Sequence, residues 1–457
     1  MRIGRRQFLA AAVAALAPGA SPRSGLPGSP ARALVAPRSE LPGSPAHALV
    51  AQRPVPSPSQ LLWQQDELAL FLHFGVNTFT DREWGDGTES PSVFNPSALD
   101  ARQWARTTRM AGFRAMILTA KHHDGFCLWP TRTTTHSVAA SPFRGGAGDV
   151  VREFTDACRA EGLRAGLYLS PWDRNAASYG DSPRYDDFYC DQLTELLTRY
   201  GPVHEVWFDG ANGEGPNGRR QTYDWQRYWR LVRRLQPDAV MFSDAGPDIR
   251  WIGNENGVAG DPNWSTVDPA VVPFPGMSQQ GIDMLLHGDP RGAVWRPGEA
   301  DVSIRPGWFY HTADDARVKT VDQLVDLYFA SVGRNAKLLL NVPPTPAGLL
   351  HSIDAERLLG MRRQLDTLFA DDRSAAVRAG RDATVSIADL HEDIARGQSV
   401  SRYELSGLAG GAWRVLTRGT TIGHRKLDRF APVSVSGVRL TVQESVGEAG
   451  PVTVRLY

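Results

Sequence analysis

Four strings in this sequence place polar, chemically capable side chains directly after apolar runs. They are His73-Phe74-Gly75, Lys121-His122-His123-Asp124-Gly125-Phe126, Trp207-Phe208-Asp209-Gly210 and Gly253-Asn254-Glu255-Asn256-Gly257. Folding alone does not select such residues there, because a carboxylate at the rim of a buried segment is costly unless it is paired or used. Asp209 closes the apolar run Val206-Trp207-Phe208. Capping a following helix is the ordinary alternative for such an Asp, but the next helical pattern starts only near Thr222. Glu255 stands in an Asn/Gly loop, where the ordinary alternative is a solvated carboxylate.

His122 and His123 are neighbours, so both can face one ligand only where a strand is ending. A metal site would need a third ligand, with His73 or Asp124 as candidates, but no H-E-x-x-H or two-metal carboxylate pattern accompanies them. One of the pair could also be a satisfied core histidine. Sugar hydroxyls give the better account. Histidine supplies directional donors and acceptors, and Trp172, Trp207 and Trp308 offer apolar faces for sugar C–H groups. Tyr168, Ser170 and Asn341 fall at comparable positions. This reading expects no metal and no cofactor.

The elements that must hold these residues follow a repeating order of buried strand, polar end and amphipathic stretch. The apolar runs predict strands at 68–74, 113–119, 163–169, 205–208, 239–242, 250–253, 307–310 and 337–341. The 3.6-residue period predicts helices at 98–110, with Trp104 and Met110 inward, and at 149–161, 185–200, 223–235 and 321–332. Gly162 suits the end of the second helix. Alternating strands and helices imply parallel strands with crossover connections. About eight units over roughly 310 residues fit a (β/α)8-like TIM barrel, whose chemistry sits at the C-terminal strand ends. A doubly wound sheet is the alternative, but no G-x-G-x-x-G or phosphate-binding loop opens a helix. Beyond about residue 375, segments such as 383–390, 413–423, 435–445 and 452–457 alternate apolar and polar residues, which predicts an antiparallel β-sandwich. The expected organisation is a leader and linker over 1–57, a barrel over 58–372 and a sandwich over 373–457.

The N-terminus reads MRIGRRQFLAAAVAALAPGA. An Arg pair before a short apolar run predicts export by the twin-arginine route, to the periplasm or beyond; an ordinary secretory signal is the alternative. The apolar run is too short to span a bilayer comfortably, so no stable membrane insertion is expected after cleavage. LPGSPARALVA at 26–36 and LPGSPAHALVA at 41–51 form a Pro/Gly/Ala duplication that reads as a linker. Lys+Arg and Asp+Glu both number 50, so no basic surplus points to nucleic acid. Cys127, Cys158 and Cys190 are too few and odd in number for a disulfide framework.

With the strand-end strings above, LLLNVPP at 338–344 completes a set of ordered motifs that resembles glycoside hydrolase family 29, the α-L-fucosidases. The resemblance runs from about residue 60 to 372, and IGHRKLDRF at 422–430 extends it into the C-terminal module. It implies a barrel followed by a β-sandwich, a fucosylated oligosaccharide or glycoconjugate as substrate, and a retaining mechanism. Residue by residue, Asp209 matches the nucleophile, and His73, His122, His123, Tyr168 and Trp207 match the fucose pocket. RWIGNENG at 250–257 resembles the subgroup acting on α-1,3- and α-1,4-linked fucose, in which its Glu, here Glu255, is the acid/base. Glu299 competes for that role, placed by this reading before the seventh strand and after a Pro/Gly-rich stretch; Glu214 is a third candidate. Another retaining exo-glycosidase on the same barrel, or a carbohydrate-binding protein without turnover, are the rival functions.

Overall fold

In this computed structural model residues 53–457 are described. The leader and the duplicated segment, within 1–52, lie outside the described residues. Residues 53–457 form one compact unit. Eight parallel strands close into a barrel in sequential order: β1 (Leu68–Leu72), β2 (Ala115–Lys121), β3 (Arg164–Leu169), β4 (Glu205–Trp207), β5 (Val240–Ser243), β6 (Ile249–Trp251), β7 (Gly298–Ser303) and β8 (Ala336–Asn341). Most of these strands are rich in apolar residues because both faces are buried. Within β1, Ala69 and Phe71 point into the barrel with Ile117, Tyr168, Trp207, Val240 and Leu339. Leu68, Leu70 and Leu72 point outward, into the layer shared with the surrounding helices.

Those helices begin with α1 (Pro58–Asp66), which the sequence pattern missed. Its capping box at Ser57 and Gln60 starts it at the boundary between the expected linker and the barrel. Trp63 from α1 packs with the interior residues of the barrel, its Nε1 donating to Glu205 at 2.8 Å. Then come α2 (Ala101–Met110), α3 (Val150–Glu161), α4 (Ser182–Arg199), α5 (Trp225–Leu235), α6 (Val321–Ala330) and α7 (Ser352–Leu368). Helix α2 starts later than expected because Asp100 caps it, and Met110 is 64% exposed rather than inward. Gly162 ends α3 in the left-handed region, as expected. No helix separates β5 from β6.

The seventh strand differs from the sequence reading. Gly307–Tyr310 is a looping segment, and GEADVS at 298–303 forms β7. Aromatic content drew the assignment to GWFY, whereas β7 carries two carboxyl side chains and no aromatic. Register settles its place, with Ala336 through Asn341 pairing Gly298 through Ser303 and Arg250 pairing Gly298.

Downstream, β9 (Ala383–Glu392), β10 (Val400–Ala409), β11 (Ala412–Gly419), β12 (Lys426–Val435), β13 (Val438–Ser445) and β14 (Val452–Leu456) form two antiparallel sheets, ordered β12-β9-β14 and β11-β10-β13. Val385, Leu390, Tyr403, Leu405, Val435 and Leu456 fill the space between them. Strands β10 and β12 were not among the expected segments.

Candidate active site

The C-terminal strand ends meet around a cavity of about 210 Å³, lined by Phe71, His73, Trp84, His122, His123, Tyr168, Trp207, Asp209, Ala211, Glu255, Asp301 and Trp308. All the expected site residues except Trp172 lie on this wall. Trp172 stands just behind it, its ring 4.9 Å from that of His123. A volume below the usual range for drug-sized ligands suits a single sugar ring.

Asp209 sits just past β4. Its Oδ2 accepts a hydrogen bond from the Tyr168 hydroxyl at 2.9 Å, and its Oδ1 accepts from the Ala211 N–H at 2.8 Å. These two donors stabilise its negative charge and fix its orientation. Burial and the neighbouring Asp209 charge push the Tyr168 hydroxyl well above its ordinary range, so it remains a donor. Tyr168 and Trp207 are register partners on β3 and β4, and Trp207 stacks on Phe242 at 4.1 Å. Adjacent inward positions on successive strands thus build an aromatic floor beside the carboxylate.

The three histidines are held neutral. Asn341 Nδ2 donates to Ser303 Oγ and to the Trp308 carbonyl, so its Oδ1 accepts from His73 Nδ1 at 2.8 Å. That arrangement leaves His73 Nε2 as an acceptor. Burial pushes His73 down to about 3, against the Asn341 hydrogen bond and with help from His123. Ser170 Oγ donates to the Trp172 carbonyl and accepts from His123 Nδ1 at 2.7 Å, which leaves His123 Nε2 unprotonated 3.8 Å from Asp209. Burial lowers His123, and nearby Arg174 and Lys121 add to the effect against the pull of Asp209. Burial, then His123 and His73, lower His122. His122 stacks beside Tyr168, and its buried Nδ1 has no partner inside the protein.

Lys121 and Asp124, in the same string, have structural work. The Lys121 ammonium is fully buried, 2.9 Å from both Asp173 and Gln192 and among the rings of Tyr185, Phe188 and Tyr189. Asp124 accepts from Asn77 and from the Phe126 N–H, and burial pushes it up to about 7.

The competing carboxyls separate clearly. Glu255 lies on the cavity wall. Glu299, expected in a loop ahead of the seventh strand, instead lies within β7, fully buried beneath the floor, accepting from Trp207 Nε1 at 3.0 Å. Burial, then Glu205, push it far up, against the pull of Lys337. Glu214 is an exposed loop residue that meets Trp172 through its backbone carbonyl. Trp308, expected on a strand, reaches the cavity from the loop after β7; its N–H donates to Glu83 at 2.5 Å.

Four wall residues, Phe71, Trp84, Ala211 and Asp301, were missed. Trp84, 55% exposed, stands edge-on to His123 and Trp172 at the mouth. It was a lone aromatic in a polar loop, with no periodicity to mark it. Phe71 was assigned only to its strand. Asp301 was masked by the misplacement of β7; Glu299 and Asp301 at i and i+2 could have shown one inward face.

Against this geometry, the sequence profile of the α-L-fucosidase family matches residues 51–367. The chain belongs to the α-L-fucosidase family, glycoside hydrolase family 29. Alpha-L-fucosidase 1 of Arabidopsis thaliana is 40% identical over 441 residues, covering 86% of this chain and 85% of that protein. A glycoside hydrolase 29 family member from an unknown rumen bacterium shares 40% identity at a TM-score of 0.82, covering 89% of this chain and 77% of that one. A Ruminococcus gnavus fucosidase of the same family, solved in complex with fucose, is 31% identical at a TM-score of 0.79, covering 88% and 95% of the two chains.

Proposed function

We propose that this α-L-fucosidase works by retention on terminal fucose, with Asp209 as nucleophile and Glu255 as general acid and then base. The observation that carries the reading is the convergence of both carboxyls on one single-ring cavity, beside three neutral histidines and an aromatic floor. In the first step an Asp209 oxygen attacks the anomeric carbon while Glu255 gives its proton to the leaving glycosidic oxygen. In the second step Glu255 takes a proton from water, which attacks the anomeric carbon and displaces Asp209. Retention requires the two carboxyl groups to stand about 5–5.5 Å apart. The histidines accept from sugar hydroxyls, and Trp207 and Trp308 face sugar C–H groups. The fucose complex of the 31% identical relative supports fucose as the ring bound.

The Arg250–Gly257 string supports α-1,3- or α-1,4-linked fucose in branched glycans as the natural target. The Arg5-Arg6 pair supports export by the twin-arginine route. A single panel tests the chemistry and the linkage together: a Lewis-type trisaccharide, 2′-fucosyllactose and a nitrophenyl fucoside, with the first-formed anomer read by proton NMR. The expected result is α-fucose as first product, faster release from the trisaccharide, and a loss on the order of a thousandfold in Asp209→Ala. A β first product would overturn retention. Equal kcat/KM on all three substrates would overturn the linkage.

A further inference from the structure

Asp301 is a third carboxyl on the cavity wall, and its contacts converge on the loop that carries Glu255. That loop leaves β6 at Trp251 and returns at Gly257. At its start, Trp251 Nε1 donates to Asp301 Oδ1 at 2.8 Å. At its end, the Gly257 N–H donates to the Asp301 carbonyl at 3.1 Å. Gly257 has φ +70°, and a Cβ there would sit 2.7 Å from Val302, so the loop lies directly against β7. One residue therefore fastens both ends of the segment, and Glu255 is suspended between them.

We propose that Asp301 is a positioning residue for Glu255, holding the acid/base loop through the carboxyl–indole bond to Trp251 and the backbone bond to Gly257. This rests on the reading of Glu255 as acid/base. Three other carboxyl groups lie around Asp301: Glu255 from its loop, Asp209 from the end of β4, and Glu299 two positions back on β7. Asp301 is 4% exposed, and burial, then the Glu255 charge, push its carboxyl well above the ordinary range. A neutral carboxyl can hold the indole without adding a second negative charge beside Asp209. The backbone bond to Gly257 survives any side-chain change, so the side-chain contribution can be isolated.

The test compares Asp301→Leu, Asp301→Asn and Trp251→Phe on two substrates, a fucosylated trisaccharide and a fucoside with an activated aryl leaving group. A misplaced general acid harms the substrate whose leaving alcohol needs a proton and largely spares the activated one. Asp301→Leu and Trp251→Phe should lower kcat/KM on the trisaccharide at least about tenfold more than on the aryl fucoside. Asp301→Asn keeps an oxygen to accept from the indole, so its trisaccharide loss should be several-fold smaller than that of the leucine variant. Equal losses on both substrates, no loss on either, or an asparagine variant as impaired as the leucine variant would each overturn the proposal. Trp251→Phe keeps it testable if Asp301→Leu does not fold. Glu255→Gln is the reference: if that variant lacks the leaving-group dependence, the acid/base reading fails, and the Asp301 variants are then not its explanation.

Discussion

At the scale of single residues, the site combines carboxyl groups with neutral side chains that make directional contacts. Asp209 is tied by a phenol and a backbone N–H, whereas the histidines are kept neutral by burial. Their neutrality has a measurable consequence for stability. His73 sits near 3 in the folded chain but at its ordinary 6.5 when unfolded. A depressed value means that its contribution is complete above 6.5 and is lost as pH falls toward 3, because the unfolded chain then binds the extra proton. Asp124, raised to about 7, works in the opposite sense over much of that window, so the wild-type profile alone does not isolate the effect. The difference between His73→Gln and wild type does. The variant should be less stable at pH 7, having disturbed the Asn341 contact. The gap should narrow by about 1.6 kcal/mol between pH 6.5 and pH 5, the slope rising toward roughly 1.4 kcal/mol per pH unit as the unfolded histidine becomes fully protonated. Urea unfolding at the two values measures it, and a constant gap would show that His73 is not held neutral.

Element by element, the barrel was legible where apolar residues ran together, as in LALFL of β1, AMIL of β2, AGLYL of β3 and LLL of β8. Strand β7 was not, because a strand whose inward face holds Glu299 and Asp301 lacks the apolar signature that periodicity detects. That one error displaced Glu299 and Trp308 and hid Asp301. The remaining wall was readable because its residues follow strand ends, but Trp84 came from a loop whose fold depends on tertiary contacts. The excursion between β6 and β7 was equally opaque, yet it packs against Gly210, the residue after Asp209. Gly276, at φ +87°, donates its N–H to Asp244 at 3.0 Å. A Cβ on Gly276 would stand 2.9 Å from the carbonyl oxygen of Gly210, the residue after Asp209. Gly276→Ala therefore combines an unfavourable backbone conformation with a push on the segment that carries Asp209. The expected outcome is a fall in kcat of about tenfold to a hundredfold, equal for activated and unactivated fucosides. Misplacement of Asp209 in its proposed role as nucleophile would not depend on the leaving group, so a loss confined to natural glycans would argue for a different role of this loop.

Over the whole molecule, barrel and sandwich are joined by a charged network far from the chemistry. Arg425, from the loop before β12, donates to both oxygens of Glu67 and to both of Asp389, and to the Tyr328 hydroxyl at 2.6 Å. His424 and His391 flank the two carboxylates. Glu67 immediately precedes β1, whose other end leads to His73, so the network and the cavity occupy opposite ends of the barrel. Burial opposes the charge on Glu67, but the His424 hydrogen bond and Arg425 hold it down at about 2. Asp389 is also lowered against burial, by His391 and Arg425. Arg425→Met would leave two largely buried carboxylates without their shared cation, a loss of about 3–5 kcal/mol at neutral pH. The sign of its pH dependence is fixed by the depressed carboxylates. Their contribution is complete above about 4.5, the ordinary value for Glu, and is lost as pH falls toward 2, so the deficit should shrink below pH 4.5. Turnover of an aryl fucoside at 25 °C should stay within about twofold of wild type, because no group at the cavity changes its partner. Chemical unfolding across pH, paired with that assay, separates the two outcomes. A variant that loses turnover while still folded would mean that the sandwich reaches the active site through the strands of the barrel.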